Sequence, residues 1–122
     1  MRGQGPAGWF TVCTDDSAIR LSSRPPGRES WQATIPWDSV VRVCFAAEGP
    51  FVSDGVYLFT RLRPESWAVP VEAAGGPQLL SELIRRGLFD ARLAITAASA
   101  INGLFCWPPD DNRQVADGQR KT

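Results

Sequence analysis

Carboxylates and cysteines are the groups on this chain that could do chemistry, and their spacing argues against most of it. Asp15-Asp16 could be half of an acid pair or of a metal site, but no second acidic cluster stands at a fixed spacing from it. Followed by Ser17, the pair reads as a turn, because short polar side chains bond their own backbone. Asp38, Asp54, Glu65 and Glu72 are scattered over loops and strand ends. Cys13, Cys44 and Cys106 form an odd count at unrelated spacings. A cysteine nucleophile normally needs a neighbouring base, most often His, and the chain has no His. Cys13 and Cys44 lie inside strand-like runs and read as buried structural thiols. Cys106, beside Trp107, reads as more open, with Phe105 and Trp107 docking into the core. Gly75-Gly76-Pro77 has two glycines and no Lys after them, so no phosphate cradle is expected. The expectation is a protein that is not an enzyme, with no catalytic residue, no metal ligand and no cofactor.

The residues suited to binding are Trp and Arg. Five Trp in 122 residues is a high count, and Trp serves as an interface anchor because it buries a large area at low entropy cost. Core packing is the competing role for each Trp taken singly. Trp37, on a bend, is the preferred partner contact, with Trp67 and Trp107 beside it. Of the 13 basic residues all but Lys121 are Arg, which codon usage in a GC-rich genome explains. Arg24, Arg28, Arg61 and Arg63 are the loop cations that would accompany the Trp contacts. Arg24-Pro25-Pro26-Gly27-Arg28 lacks a full PxxP and reads as an ordinary loop.

Charge and hydropathy narrow the partners. Basic and acidic residues cancel at 13 each and the pI is near 6.2, so the broad positive field that holds nucleic acid or anionic lipid is missing. No run approaches the roughly 18 apolar residues of a membrane span. The residues at 1–6 lack the apolar core of a signal peptide. A reduced, cytoplasmic protein with no nucleic-acid or membrane partner is expected. At 43% hydrophobic and 21% charged the chain should fold as one domain with its own core.

The elements that must position these groups are mostly strands. Residues 9–14 put Phe10 and Val12 on one face and Trp9, Thr11 and Cys13 on the other. With Ile19 and Leu21 alternating after the Asp15 turn, 9–22 reads as a hairpin. Trp31, Ala33 and Ile35 share a face of the next strand, and Trp37-Asp38-Ser39 bends. Val41, Val43 and Phe45 form the following face, with Arg42 and Cys44 opposite. Residues 56–59 are apolar on both faces, 61–66 read as a turn, and Trp67, Val69 and Val71 alternate after it. Pro70 marks an edge strand or a bulge. Pro77 opens a helix that runs to Arg86, with Leu79, Leu80, Leu83 and Ile84 on one side and a Glu82–Arg86 pair on the other. Asp90 caps a second helix to about Ala100. The domains are then a flexible 1–7, a single domain over 8–107 whose extra helical segment is 88–107, and a disordered 108–122.

The run Ile35-Pro36-Trp37-Asp38-Ser39-Val40-Val41-Arg42-Val43, together with Val69-Pro70 before the terminal helix, resembles bacterial pleckstrin-homology-like domains over residues 8–87. The resemblance implies an α+β, mostly β fold, a barrel of two orthogonal antiparallel sheets capped by a helix. Many such domains have no assigned activity, and some self-associate into rings. Lipid-binding members of the wider class carry basic residues between their first two strands. Here that loop is Thr14-Asp15-Asp16-Ser17, so phosphoinositide binding is not expected.

Three functions compete. The first is a non-catalytic protein-binding or assembly module, with a protein partner or a second copy on the edge around 67–71 or on 88–107. The second is a carrier of a small acidic ligand held by Arg42, Arg61 and Arg63 in a pocket between sheets and helix. The third is an immunity or toxin-neutralising protein, which rests on class analogy. The first fits the strand order and the missing catalytic groups best.

Overall fold

The computed structural model describes residues 8–48 and 54–109. They form two antiparallel sheets and two helices. The first sheet is a meander of β1 (Phe10–Thr14), β2 (Ala18–Ser23) and β3 (Trp31–Pro36). A 3-10 turn, Trp37–Ser39, leads from it into β4 (Val40–Glu48). β4 lies in a second sheet with β5 (Gly55–Thr60), β6 (Arg63–Pro70) and β7 (Asn102–Trp107), in the spatial order β6-β5-β4-β7. Between β6 and β7 come α1 (Gly76–Arg85) and α2 (Ala91–Ala98). Mostly β with two helices is therefore the fold class, and neither sheet closes on itself.

Alternation builds the core. Phe10, Val12, Ile19, Leu21 and Ile35 from the first sheet meet Val43, Phe45, Val56, Leu58 and Val69 from the second, as the two-residue period of a half-buried strand demands. Leu79 and Leu83, one turn apart on α1, complete this core with Phe89 and are all but inaccessible to solvent. α1 packs against β1, and α2 against β4 and β7. The Asp90 carboxylate accepts from the Leu93 N–H at 2.9 Å and caps α2 as expected. Between β6 and α1 the chain runs along the free side of β1. The Val12 N–H donates to the Ala74 carbonyl at 2.7 Å, and the Ala74 N–H donates to the Phe10 carbonyl at 3.0 Å. That link covers an edge that would otherwise be open.

Three expectations are corrected. A register shift between Val40 and Arg42 bulges β4, so Val40 enters the core and Val41 is turned out, 53% exposed. A bulge adds one residue and flips the faces before it, which alternation alone cannot show. β6 begins at Arg63, so the turn before it is shorter than 61–66. The segment 88–107 is helical only over Ala91–Ala98 and ends as β7, paired with β4 through Phe45↔Phe105 and Cys44↔Cys106. The apolar run Leu104-Phe105-Cys106-Trp107 docks by joining the sheet. The expectations for 1–7 and for 110–122 lie outside the described residues.

Candidate functional site: an aromatic cleft between two sheet edges

β3 is paired only with β2, and β6 only with β5, so each ends its sheet. No ladder joins these two edges among the described residues. Aromatic rings span the gap instead. Trp31 on β3 and Trp67 on β6 lie 5.7 Å apart, tilted by 33°. Phe10 meets Trp31 edge-on at 5.8 Å, and Trp9 meets Phe10 at 6.0 Å. The Arg63 guanidinium sits over the Trp67 ring, 3.4 Å from its centroid. Arg63 is held there because it donates to the carbonyls of Glu65 and Ser66, both at 2.9 Å. The result is a continuous row of rings ending in a cation, in the offset and edge-on geometries that ring quadrupoles favour.

A cleft of about 640 Å³ opens beside this row, and it is open to solvent. Its walls are Trp9, Phe10 and Trp31 from the first sheet, and Tyr57, Val69 and Pro70 from the second. Arg28, Glu29 and Asp54 stand at its lining with Pro25. The β2–β3 loop delivers the first two. The Arg28 N–H donates to the Pro25 carbonyl at 3.2 Å, and Gly27 takes φ +73°. Pro at the second position of a four-residue turn and a positive-φ Gly at the third are the residues a type II turn requires. The Arg24 N–H, bonded to the Trp9 carbonyl at 2.8 Å, fixes the loop on β1. The cleft thus combines flat apolar rings with a few charged groups, a composition suited to binding.

Of the residues expected to contact partners, the structure brings Arg28, Trp67 and Arg63 to this row or cleft and leaves the others elsewhere. Trp37 is corrected outright: it is 8% exposed and belongs to the core. The 3-10 turn swings its ring inward, where its indole N–H donates to the Asp15 carbonyl at 2.7 Å and the Arg86 guanidinium covers its face at 4.1 Å. Trp107 is half-buried on β7, across from Val43. Arg61 is exposed and lies 3.6 Å from Asp38, and Arg24 is exposed outside the cleft. Arg42, Arg61 and Arg63, expected to hold an acidic small ligand, do not line the cleft, and no helix residue does.

Trp9, Trp31 and Tyr57 were missed as a set. The signal for two of them was the meander itself, since its first and third strands begin at the same end of the sheet. Ser23 on β2 is the register partner of both Phe10 and Trp31.

Two of the cysteines and the Asp15 and Glu82 carboxylates make bonds within the fold. Cys44 and Cys106 form a disulfide between β4 and β7, and Cys13 is free and exposed, which corrects the reading of Cys13 and Cys44 as buried thiols. Asp15 accepts from the Ser17 and Ala18 N–H groups at 2.7 and 2.9 Å, the turn expected, and pairs with Arg20. Among the described residues no group of three His, Cys, Asp or Glu side chains could hold a metal ion. Glu82 accepts two bonds from Arg85 at 2.8 Å and one from Arg86 at 3.1 Å. These bonds, those from Arg85 first, hold its carboxyl down to about 2. A depressed carboxyl stabilises the fold above its unfolded pKa and stops doing so as pH falls through the folded one. Acid titration of thermal stability from about pH 4.5 to pH 2 should therefore cost the wild type stability that Glu82→Gln has already lost, so the two Tm curves converge. Parallel curves would show that the Glu82 pairs contribute nothing.

Compared with known proteins, the chain matches no family model, no curated protein and no solved structure. No helix among the described residues is long and apolar enough to cross a membrane.

Proposed function

We propose that this chain is a non-catalytic recognition module that engages a protein partner through the aromatic cleft between β3 and β6. One observation carries the reading: Trp9, Trp31 and Tyr57 gather at an open cleft, and Trp31 there is 39% exposed. A folded chain gains by covering rings of this size, and Trp and Tyr left in a solvent-filled depression are the groups that dominate interface energies. The pleckstrin-homology-like family belongs to this proposal as well. Two three-strand meanders, β1-β2-β3 and β4-β5-β6, followed by α1 support it, while α2 and β7 lie beyond its pattern. Self-assembly is the same reading with a second copy as partner, and a toxin is one special partner.

The compartment follows the disulfide. A reduced, cytoplasmic home rests on keeping Cys44 and Cys106 as thiols. A cross-strand disulfide fits an oxidising compartment better, because such bonds persist there.

Affinity capture from the source cells, with stoichiometry, tests the reading when wild type and Trp31→Ala are run together. A near-stoichiometric partner held by wild type and lost by a folded Trp31→Ala supports it. Equal recovery by both proteins moves the interface elsewhere and ends the proposal.

A further inference from the structure

We infer that β7 is a second interface, at which the chain pairs edge to edge with another copy of itself. The inference lies apart from the cleft and does not rest on it. Its first ground is how the four sheet edges differ among the described residues. The 72–75 link covers β1, and Trp31 on β3 meets Trp67 on β6 across the gap between those two edges. β6 also bears Arg63, Pro64, Glu65 and Pro70, charges and prolines of the kind that discourage pairing with a further strand. β7 has no such device. It ends its sheet beside β4, and Ile101-Asn102-Gly103-Leu104-Phe105-Cys106-Trp107 contains no charge and no proline. Its outer row of backbone N–H and C=O groups meets no strand among the described residues.

The second ground is apolar surface in the same place. Ile101, Ile95 and Leu104 are the three most exposed large hydrophobic residues described, each 66% or more open to solvent. They fall on α2, on β7 and on the connection between them, and α2 packs on β7. Gathered beside an open strand edge, such side chains mark an interaction surface.

The third ground selects the occupant. A strand that pairs antiparallel with its own copy about a two-fold axis faces its own sequence, so any charge on it is brought near its like. The β7 strand brings none, and the chain as a whole has a net charge of zero, so two copies approach without repulsion. An uncharged edge also has nothing electrostatic with which to choose a foreign strand. Register fixes the mode of pairing. Phe105 and Trp107 share the core face with Phe45 and Val43, while Leu104 and Cys106 share the opposite face with Ala46 and Cys44. A two-fold axis normal to the sheet keeps both cores on one side and makes the four-stranded sheet eight-stranded. It sets Leu104 of one copy against the 104–106 stretch of the other. One short ladder with a few apolar side chains per copy is a small interface, under about 1,200 Å², so the dimer should dissociate on dilution.

The test is sedimentation of the full chain from micromolar concentration to about 1 mM, the range in which so small an interface should associate. Wild type should pass from monomer to dimer. Leu104→Lys puts like charges near each other across the new ladder and removes a buried apolar contact, so it should weaken the dimer at least about tenfold. Its Tm at low concentration should stay unchanged, because Leu104 packs little in the monomer. Ile101→Lys, at the other exposed position next to the ladder, should weaken the dimer in the same way and serves if Leu104→Lys fails to fold. Hydrogen exchange gives a second readout: protection of amides 104–107 should rise with concentration in wild type and not in the lysine variants. A monomer mass at about 1 mM, or lysine variants that dimerise as tightly as wild type, overturns the inference. So does a dimer that Trp31→Ala dissociates and Leu104→Lys does not, because the second copy then sits in the cleft. The cleft reading is judged by Trp31→Ala and this one by lysine at 104 or 101, so the two fail separately.

Discussion

Gly75→Ala is expected to destabilise the fold by at least about 3 kcal/mol, roughly 10 °C in Tm for a chain of this length. Two effects add at this position. Gly75 has φ +88°, in the left-handed region that costs an L-residue roughly 1–2 kcal/mol. A Cβ there would also stand 2.0 Å from the Val12 carbonyl oxygen. That oxygen belongs to the backbone of β1 and has no rotamer to escape into, so either β1 or the 72–75 link must move. Moving the link breaks the Val12–Ala74 and Ala74–Phe10 hydrogen bonds and bares the edge of β1. Gly87→Ala is the control. Its φ is +76° with nothing within 4 Å of an added Cβ, so it should show the conformational cost alone, about 1 kcal/mol. Urea melts of the two variants decide the matter, and equal midpoints would mean that the link does not lie on β1. The consequence reaches the cleft, because Trp9 and Phe10 open the strand that the link holds.

Elements set by local chemistry were legible in the sequence, and those set by distant pairing were not. The Asp15 turn, the hairpin through Ile19 and Leu21, the Pro77 start of α1 and the Asp90 cap each follow from residues within one turn of each other. β7 does not. Its aromatic residues and Cys106 gain their strand conformation by pairing with β4, and nothing near them in sequence says so. The same holds for Cys44, whose disulfide partner is a register neighbour 62 residues away. Val41 was assigned to the core because the bulge at Val40/Arg42 is invisible to a two-residue period.

The cleft was hidden for a related reason. Trp37 looked like a surface anchor because it sits on a bend, yet a short 3-10 turn can aim a ring either way. Its indole found the Asp15 carbonyl and its face found Arg86. Trp31 shares a strand face with Ile35, which lies in the core. Parity decides the face of a strand, but not whether the other sheet reaches that far along it. At the Ile35 end the second sheet covers the face completely, and at the Trp31 end it leaves the cleft. Exposure of that ring is thus a property of how two sheets diverge, which no single strand encodes.

Breaking the Cys44–Cys106 bond should cost about 4 kcal/mol. The bond closes a loop of 62 residues, and tying off a loop of that length removes roughly this much chain entropy from the unfolded state. The strand it secures has few other ties. β7 ends its sheet, pairs only with β4, and leaves Leu104 66% exposed. Closing the loop without a covalent bond must be offset by that single ladder and by the packing of α2, so β7 should be the first element to open. Reduction, or the Cys44→Ala/Cys106→Ala pair, should then lower the denaturation midpoint and remove hydrogen-exchange protection from β7 before β1, β2 and β3. Thiol titration gives the sharpest reading. The native chain should show one reactive thiol, Cys13, and the reduced chain three. Three thiols in the unreduced native protein, or a midpoint indifferent to reductant, would sink the prediction and return the protein to a reducing compartment. If the loss does approach 4 kcal/mol, it removes a large share of the 5–15 kcal/mol that holds an ordinary domain together. A chain that depends on the bond to that extent would be poorly folded wherever thiols are kept reduced.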